Sequence, residues 1–186
     1  MNDGIVGVLL AAGAGRRFGA DKRRALLADG TPLAAAAAQK LRAACERTLV
    51  VVRADDPAPP AFPGCELVRS DAARRGMGHS LAAGVAASPH AAGWLVALAD
   101  MPFIEPSSYR AVVAALRAGA ALAQPVHAGV AGHPVGFAAG WFAQLVALAG
   151  DAGARALIRD AGAARVLCAV DDAGIHRDVD TPADLA

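Results

Sequence analysis

With 186 residues, of which 55% are hydrophobic and 19% charged, the chain is long enough for one domain to bury about 70% of the surface its unfolded form exposes, with no staple required. A formal net charge of +1 gives no long-range field for nonspecific nucleic-acid binding and points instead to a small anionic ligand held by a local cluster. Cys45, Cys65 and Cys168 are odd in number, widely spaced and without a C-x-x-C pair, which argues against zinc and predicts reduced, buried, inert thiols in a cytoplasmic protein.

Asp3 precedes the first apolar run and the positive charges follow it, the reverse of a secretory signal, so a mature cytoplasmic chain is expected. That run, Ile5 to Leu10, is rich in Val, Ile and Leu and breaks into Ala11-Ala12-Gly13-Ala14-Gly15-Arg16-Arg17-Phe18-Gly19-Ala20-Asp21-Lys22. It reads as a buried strand followed by a tight loop. Small residues let backbone N–H groups approach a ligand, and Arg17 and Lys22 on the same loop complete an anion trap at the carboxyl end of a strand. A nucleoside triphosphate is the expected guest. The loop is not a P-loop, because Lys22 follows Asp21 and precedes Arg23. It is not a dinucleotide fingerprint either: Gly13, Gly15 and Gly19 are spaced one residue too far, and the next strand ends in Arg53 rather than an acid.

Further strands are predicted at Thr48 to Val52, Glu66 to Arg69, Trp94 to Ala99, Ala120 to Val126, Val135 to Ala138 and Arg165 to Val170. Helices are predicted at Pro32 to Ala44, Ser80 to Ala87, Ser107 to Arg117 with Ser107 as cap, Trp141 to Ala149 and Ala154 to Asp160. The proline-rich stretch Asp55 to Gly64 should be an exposed loop. Ala118 to Gly150 lacks charge but is interrupted by Gln124, Pro125, His127, His133, Pro134 and Gln144, so no membrane span is expected. Strands alternating with helices predict a three-layer α/β/α fold with a mostly parallel, Rossmann-like sheet, over one domain, residues 1–186.

Asp100 follows the strand Trp94 to Ala99 directly, and Met101-Pro102 biases the turn away from helix. A carboxylate there would face the anion loop and repel phosphate unless a divalent cation lay between them, and Mg²⁺ is the usual bridge. Asp178 and Asp180 alternate near the end of the chain, so in an extended segment both would point to one side, as further metal ligands or as solvated charge. Thr181-Pro182 reads as a helix start with threonine at the cap. Ser80, His79, His133, Cys45 and Cys65 lie in no nucleophile signature. His79 and His133 are the histidines placed for a ligand pocket.

Taken in order, these motifs resemble the nucleotidyltransferase family that includes the molybdenum cofactor cytidylyltransferases and guanylyltransferases, over nearly the whole chain. The segments are the loop Leu10 to Lys22, Gly76-Met77-Gly78-His79-Ser80-Leu81, Asp100-Met101-Pro102, Gly132-His133-Pro134-Val135, Gly150-Asp151-Ala152-Gly153-Ala154-Arg155 and Asp178-Val179-Asp180-Thr181-Pro182. The resemblance implies a fold of the nucleotide-diphospho-sugar transferase type. It implies that Leu10, Ala11, Ala12, Gly13, Gly15, Arg17, Lys22, Gly78 and Ser80 bind nucleotide, that Arg17, Lys22 and Asp100 act in catalysis, and that Asp100, Asp180 and Asp178 hold Mg²⁺. His133, Pro134 and Arg155 would line the acceptor side. Leu-Ala-Ala-Gly at residues 10–13 is more similar to the cytidylyl branch, so CMP transfer from CTP to a molybdopterin-type phosphate is expected, with pyrophosphate released and a molybdoenzyme or its maturation factor downstream. A guanylyltransferase, a sugar-phosphate nucleotidyltransferase and a nonenzymatic cofactor-binding or chaperone module are the alternatives. Arg23 and Arg24 depart from the family pattern, as an acceptor clamp or as solvated charge.

Overall fold

The computed structural model describes residues 4–13, 18 and 21–185. Gly15 and Arg17 of the expected phosphate loop therefore lie outside the described residues. The chain runs β1 (Ile5–Leu10), α1 (Leu33–Arg42), β2 (Arg47–Arg53), β3 (Glu66–Ser70), α2 (Met77–Ala86), β4 (Gly93–Leu98), α3 (Pro106–Arg117), β5 (Leu122–His127), β6 (Val130–Ala131), β7 (Val135–Ala138), α4 (Phe142–Val146), α5 (Arg155–Ala161) and β8 (Arg165–Ala169), with short 3₁₀ turns between. One eight-stranded sheet takes the order β3-β2-β1-β4-β7-β5-β6, with β8 on β5. β3, β2, β1 and β4 are parallel, as are β5 and β8, while β7 runs antiparallel to β4 and β5.

This is the expected three-layer α/β/α arrangement. Val, Ile and Leu run continuously through β1 and β2 because helices cover both faces. On one face Leu9, Val50, Leu95 and Ala97 pack with Leu41 of α1 and with Tyr109 and Val112 of α3. On the other, Val8, Val51, Trp94 and Phe137 pack with Leu81 and Val85 of α2 and Leu145 of α4. A Cβ at Gly84 would fall 2.5 Å from Val8 Cγ1, so glycine is what lets α2 lie this close to β1.

The expected caps are corrected. α3 begins at Pro106 and its N-cap is Glu105, without a side-chain cap. Ser107 falls inside the first turn. Asp172 braces this start, its carboxylate accepting from Glu105 N at 2.8 Å and from the Ser108 hydroxyl at 2.6 Å. At the carboxyl end, Pro182–Leu185 is a 3₁₀ turn, and Thr181 donates its N–H and hydroxyl to Asp184 at 2.7 and 2.9 Å. α2 starts at Met77, three residues before the expected Ser80, so Gly78 lies in its first turn. The cysteines are free but only partly buried; burial pushes the Cys45 thiol up to about 12, which keeps it protonated and inert. Among the described residues no helix is long and apolar enough to cross a membrane.

Candidate active site

β1 and β4 are parallel neighbours, Leu10 opposite Leu98, so the residues that follow them emerge side by side at the carboxyl edge of the sheet. This edge is where open α/β sheets bind ligands. After β4 the chain turns and presents Asp100. The 175–180 segment returns to the same edge: Val179, fully buried, donates its N–H to Asp100 O at 2.8 Å. That anchor holds the segment against the turn after β4, with Asp180 partly buried and Asp178 exposed.

Lys22 sits in a one-turn 3₁₀ helix, Lys22–Arg24, capped by Asp21. Its Nζ donates to Asp100 Oδ2 at 2.8 Å, to Val179 O at 3.1 Å and to Asp180 Oδ1 at 3.3 Å. Burial would lower the pKa of this ammonium, but the hydrogen bond and charge of Asp100, joined by those of Asp180, hold it above its ordinary value. Two carboxylates thus converge on one cation. Asp178 is exposed, and among the described residues no three His, Cys, Asp or Glu groups gather to hold a metal, so the expected trio of Asp100, Asp180 and Asp178 is not assembled. Asp100 and Asp180 fit a hard divalent ion that completes its shell with phosphate oxygens and water; the ammonium between them shows that the position suits a positive charge.

Arg23 and Arg24 are neither an acceptor clamp nor merely solvated. Arg23 makes a two-pronged pair with Asp21, Nε to Oδ1 at 2.8 Å and Nη2 to Oδ2 at 2.9 Å. Its Nη1 reaches Ala11 O at 3.2 Å and the buried Asp56 Oδ2 at 2.6 Å. Arg24 Nη2 donates to Ala58 O at 2.5 Å. Together they tie the loop that carries Lys22 to the end of β1 and to the 55–64 segment.

A cleft of about 520 Å³ opens beside Asp100. Leu10, Ala12, Gly13 and Leu98 form its floor, and Gly76, Met77 and Ser80 of the α2 start face it, so the positive end of that helix looks into it. Ala11 faces a small hollow by Lys22 and Arg23, and its N–H is committed to Val51 O at 2.9 Å, which removes it from the set expected to cradle phosphate. Ser80 directs both its N–H and its hydroxyl to Gly76 O, at 3.3 and 3.4 Å. Gly78 is buried away from the cleft: its N–H donates to Gly150 O at 2.8 Å and an added Cβ would fall 2.6 Å from Ala149 O. Gly76, at φ +130° and with Gly150 O 2.4 Å from where a Cβ would stand, is required by both backbone and space.

Three charged residues of the cleft were not expected among the site residues. Arg53, at the end of β2, and Arg74 both pair with Asp55, at 3.3 and 3.4 Å, and Asp151 lies beside Gly76 at the α2 start. Arg53 had a legible signal, a cation closing a strand at the carboxyl edge. His133 and Arg155 are brought together, but in a separate cavity with Gln124, Arg159 and Arg165; Pro134 is buried.

Residues 7–166 match the model of the MobA-like NTP transferase domain. The purine catabolism protein PucB of Bacillus subtilis (strain 168) is 32% identical over 192 residues, covering 96% of this chain and 92% of its own. Rv0371c from Mycobacterium tuberculosis H37Rv superposes with a TM-score of 0.84 at 28% identity, covering 97% of this chain and 95% of that one. Its complex with manganese does so at 0.82 and 26%, covering 99% and 96%. Molybdopterin-guanine dinucleotide biosynthesis protein A from Archaeoglobus fulgidus, at 22% identity, TM-score 0.67 and coverage of 97% and 94%, shares the fold. The chain belongs to the MobA-like NTP transferase family and is a nucleotidyltransferase.

Proposed function

We propose that this member of the family transfers the cytidylyl group of CTP to the terminal phosphate of a molybdopterin-type acceptor and releases pyrophosphate, residues 1–186 acting as one nucleotidyltransferase domain with Mg²⁺ as its divalent ion. The observation that carries this reading is the convergence of Asp100 and Asp180 on the Lys22 ammonium at the mouth of the cleft. Nothing in that group is a nucleophile, and none is needed, because an acceptor phosphate oxygen already carries the electron pair that attacks the α-phosphorus. The new P–O bond forms as the bond to the β-phosphate oxygen breaks, and the charge leaves on pyrophosphate. The protein must align the reactants and neutralise charge.

Lys22 is the mobile charge. With nucleotide bound it trades carboxylate partners for phosphate oxygens and steadies the charge that grows on the leaving group, with Arg17 assigned the same work. Asp100 and Asp180, freed of the ammonium, are the residues that would hold the divalent ion, which supplies charge neutralisation at the α-phosphate. Manganese bound by the Rv0371c relative supports a divalent ion here. Gly13, Ala12 and Leu10 form the floor under the triphosphate, while Arg53 and the α2 start flank the nucleoside. The Leu-Ala-Ala-Gly sequence at residues 10–13 favours CTP over GTP. His133, Pro134 and Arg155 are assigned to the acceptor side, and the product passes to a molybdoenzyme or its maturation factor.

Pyrophosphate release with purified molybdenum cofactor and Mg²⁺, run with CTP, GTP and ATP side by side, tests the reading. Release with CTP alone is expected; release with GTP alone would reassign the base, and none with any of the three would remove the acceptor.

A further inference from the structure

We propose that the cavity beside α5 is a second oxyanion site, which grips an anionic group of the acceptor apart from the phosphate that reacts. The acceptor assignment rests on the transfer reading above; the binding of an oxyanion does not. The cavity measures about 530 Å³, and three arginines, Arg155, Arg159 and Arg165, line it without any Asp or Glu. Arg159 Nε also pairs with Asp160 Oδ1 at 3.1 Å, and on a chain whose net charge is +1 the three arginines still leave that wall with an excess of positive charge, which attracts an anion.

The wall is also prearranged. Arg165, at the start of β8, reaches across to Gln124 Oε1 at 2.9 Å, and Gln124 Nε2 donates in turn to Gly132 O at 3.0 Å. The guanidinium is therefore held by one edge. Its Nε is buried without a hydrogen-bond partner, and so is Nδ1 of His133 on the same wall. Leaving such atoms unpaired costs stability, and they lie in two side chains of the cavity lining, where the Arg165 guanidinium is a charge-assisted donor for an oxyanion. Burial keeps the His133 imidazole below its ordinary value, against the pull of Asp100 and with the push of Arg155, so the ring offers hydrogen bonding without adding charge.

The position connects this cavity to the reacting end. His133 N donates to Ile175 O at 3.0 Å, and Val179 N donates to Asp100 O at 2.8 Å. The 175–179 segment thus has the cavity at one end and the candidate metal carboxylate at the other. An acceptor lying along it would place one phosphate at Asp100 and a second anionic group among the arginines.

Inorganic phosphate is the probe, titrated by calorimetry into the whole protein under saturating CTP. Binding is expected, about tenfold weaker in Arg159→Gln and in Arg165→Gln, and retained in Lys22→Ala at a CTP concentration raised to saturate that variant, with circular dichroism as the control for folding. Arg159 is exposed on α5, so its replacement leaves the fold intact even where Arg165→Gln disturbs β8. No phosphate binding by the wild type, or equal binding by Arg159→Gln, would overturn the site whatever the enzyme does. In turnover, the same variants should raise the acceptor KM about tenfold and leave the CTP KM unchanged. A change in inhibition by pyrophosphate with the acceptor KM unmoved would assign the site to the leaving product and overturn the acceptor role.

Discussion

Lys22 Nζ lies 2.8 Å from Asp100 Oδ2, across 78 residues of chain, so the end of β4 and the loop after β1 are fastened to each other by the two groups to which the proposed transfer gives most to do. In the proposed transfer the pair must open for Lys22 to reach phosphate.

Asp100→Asn should lower turnover at least about a hundredfold, as expected for removal of a charge that neutralises the transition state. The fold should persist, because Lys22 keeps Asp180 and Val179 O as acceptors. Steady-state pyrophosphate release together with circular dichroism checks both halves.

Lys22→Ala leaves Asp100 and Asp180 without the cation between them. Divalent ion should then raise the melting temperature of the variant more than that of the wild type, since it no longer competes with an ammonium. Differential scanning calorimetry with and without Mg²⁺ reads this, and equal shifts in the two proteins would separate Lys22 from the metal position.

Arg23→Ala should destabilise by about 3 kcal/mol, because it strands the buried Asp56 carboxylate and frees the loop from Ala11 O. Arg24→Ala, at an exposed side chain, should cost under about 1 kcal/mol. Urea denaturation distinguishes the two.

Asp172→Ala removes the acceptor for Glu105 N, the Ser108 hydroxyl and Gly174 N, and should cost about 2 kcal/mol because these donors lose their partner. Ser107→Ala should change stability by less than about 0.5 kcal/mol, read in the same urea experiment.

His133 gives the pH dependence a sign. Its folded pKa is below its unfolded value, chiefly through burial, so as pH falls below about 6.5 the unfolded chain takes up a proton that the folded chain refuses, and stability drops until the folded pKa is reached. His133→Asn should flatten that slope between pH 7 and 5, measured by denaturant titration at each pH.

Much of the site was legible because glycine spacing, strand ends and carboxylates carry local chemistry. The apolar run of β1 ending in glycines placed the loop, and Asp100 followed from a buried strand closed by Met101-Pro102. What was not legible depends on contacts between distant residues. The brace at the start of α3 comes from Asp172, 64 residues beyond Ser108, and no local pattern marks it, so Ser107 was expected as the cap on propensity alone. Arg23 read as an acceptor clamp or as solvated charge because its partner Asp56 lies in a proline-rich loop whose path only the fold decides. Gly78 was expected as a nucleotide contact through the family resemblance, yet Ala149 packs against it and leaves no room for a Cβ. The cavity arginines come from α5 and β8, and only the pairing of β8 with β5 sets Arg165 against Gln124.

The most direct measurement follows the α-phosphate itself, using CTP labelled there with ³²P, Mg²⁺ and purified molybdenum cofactor. The expected result is label in the acceptor product, one for each pyrophosphate released and at least about a hundredfold less with Asp100→Asn. Label recovered as free CMP, or retained in CTP while the protein is folded, would contradict transfer to that acceptor.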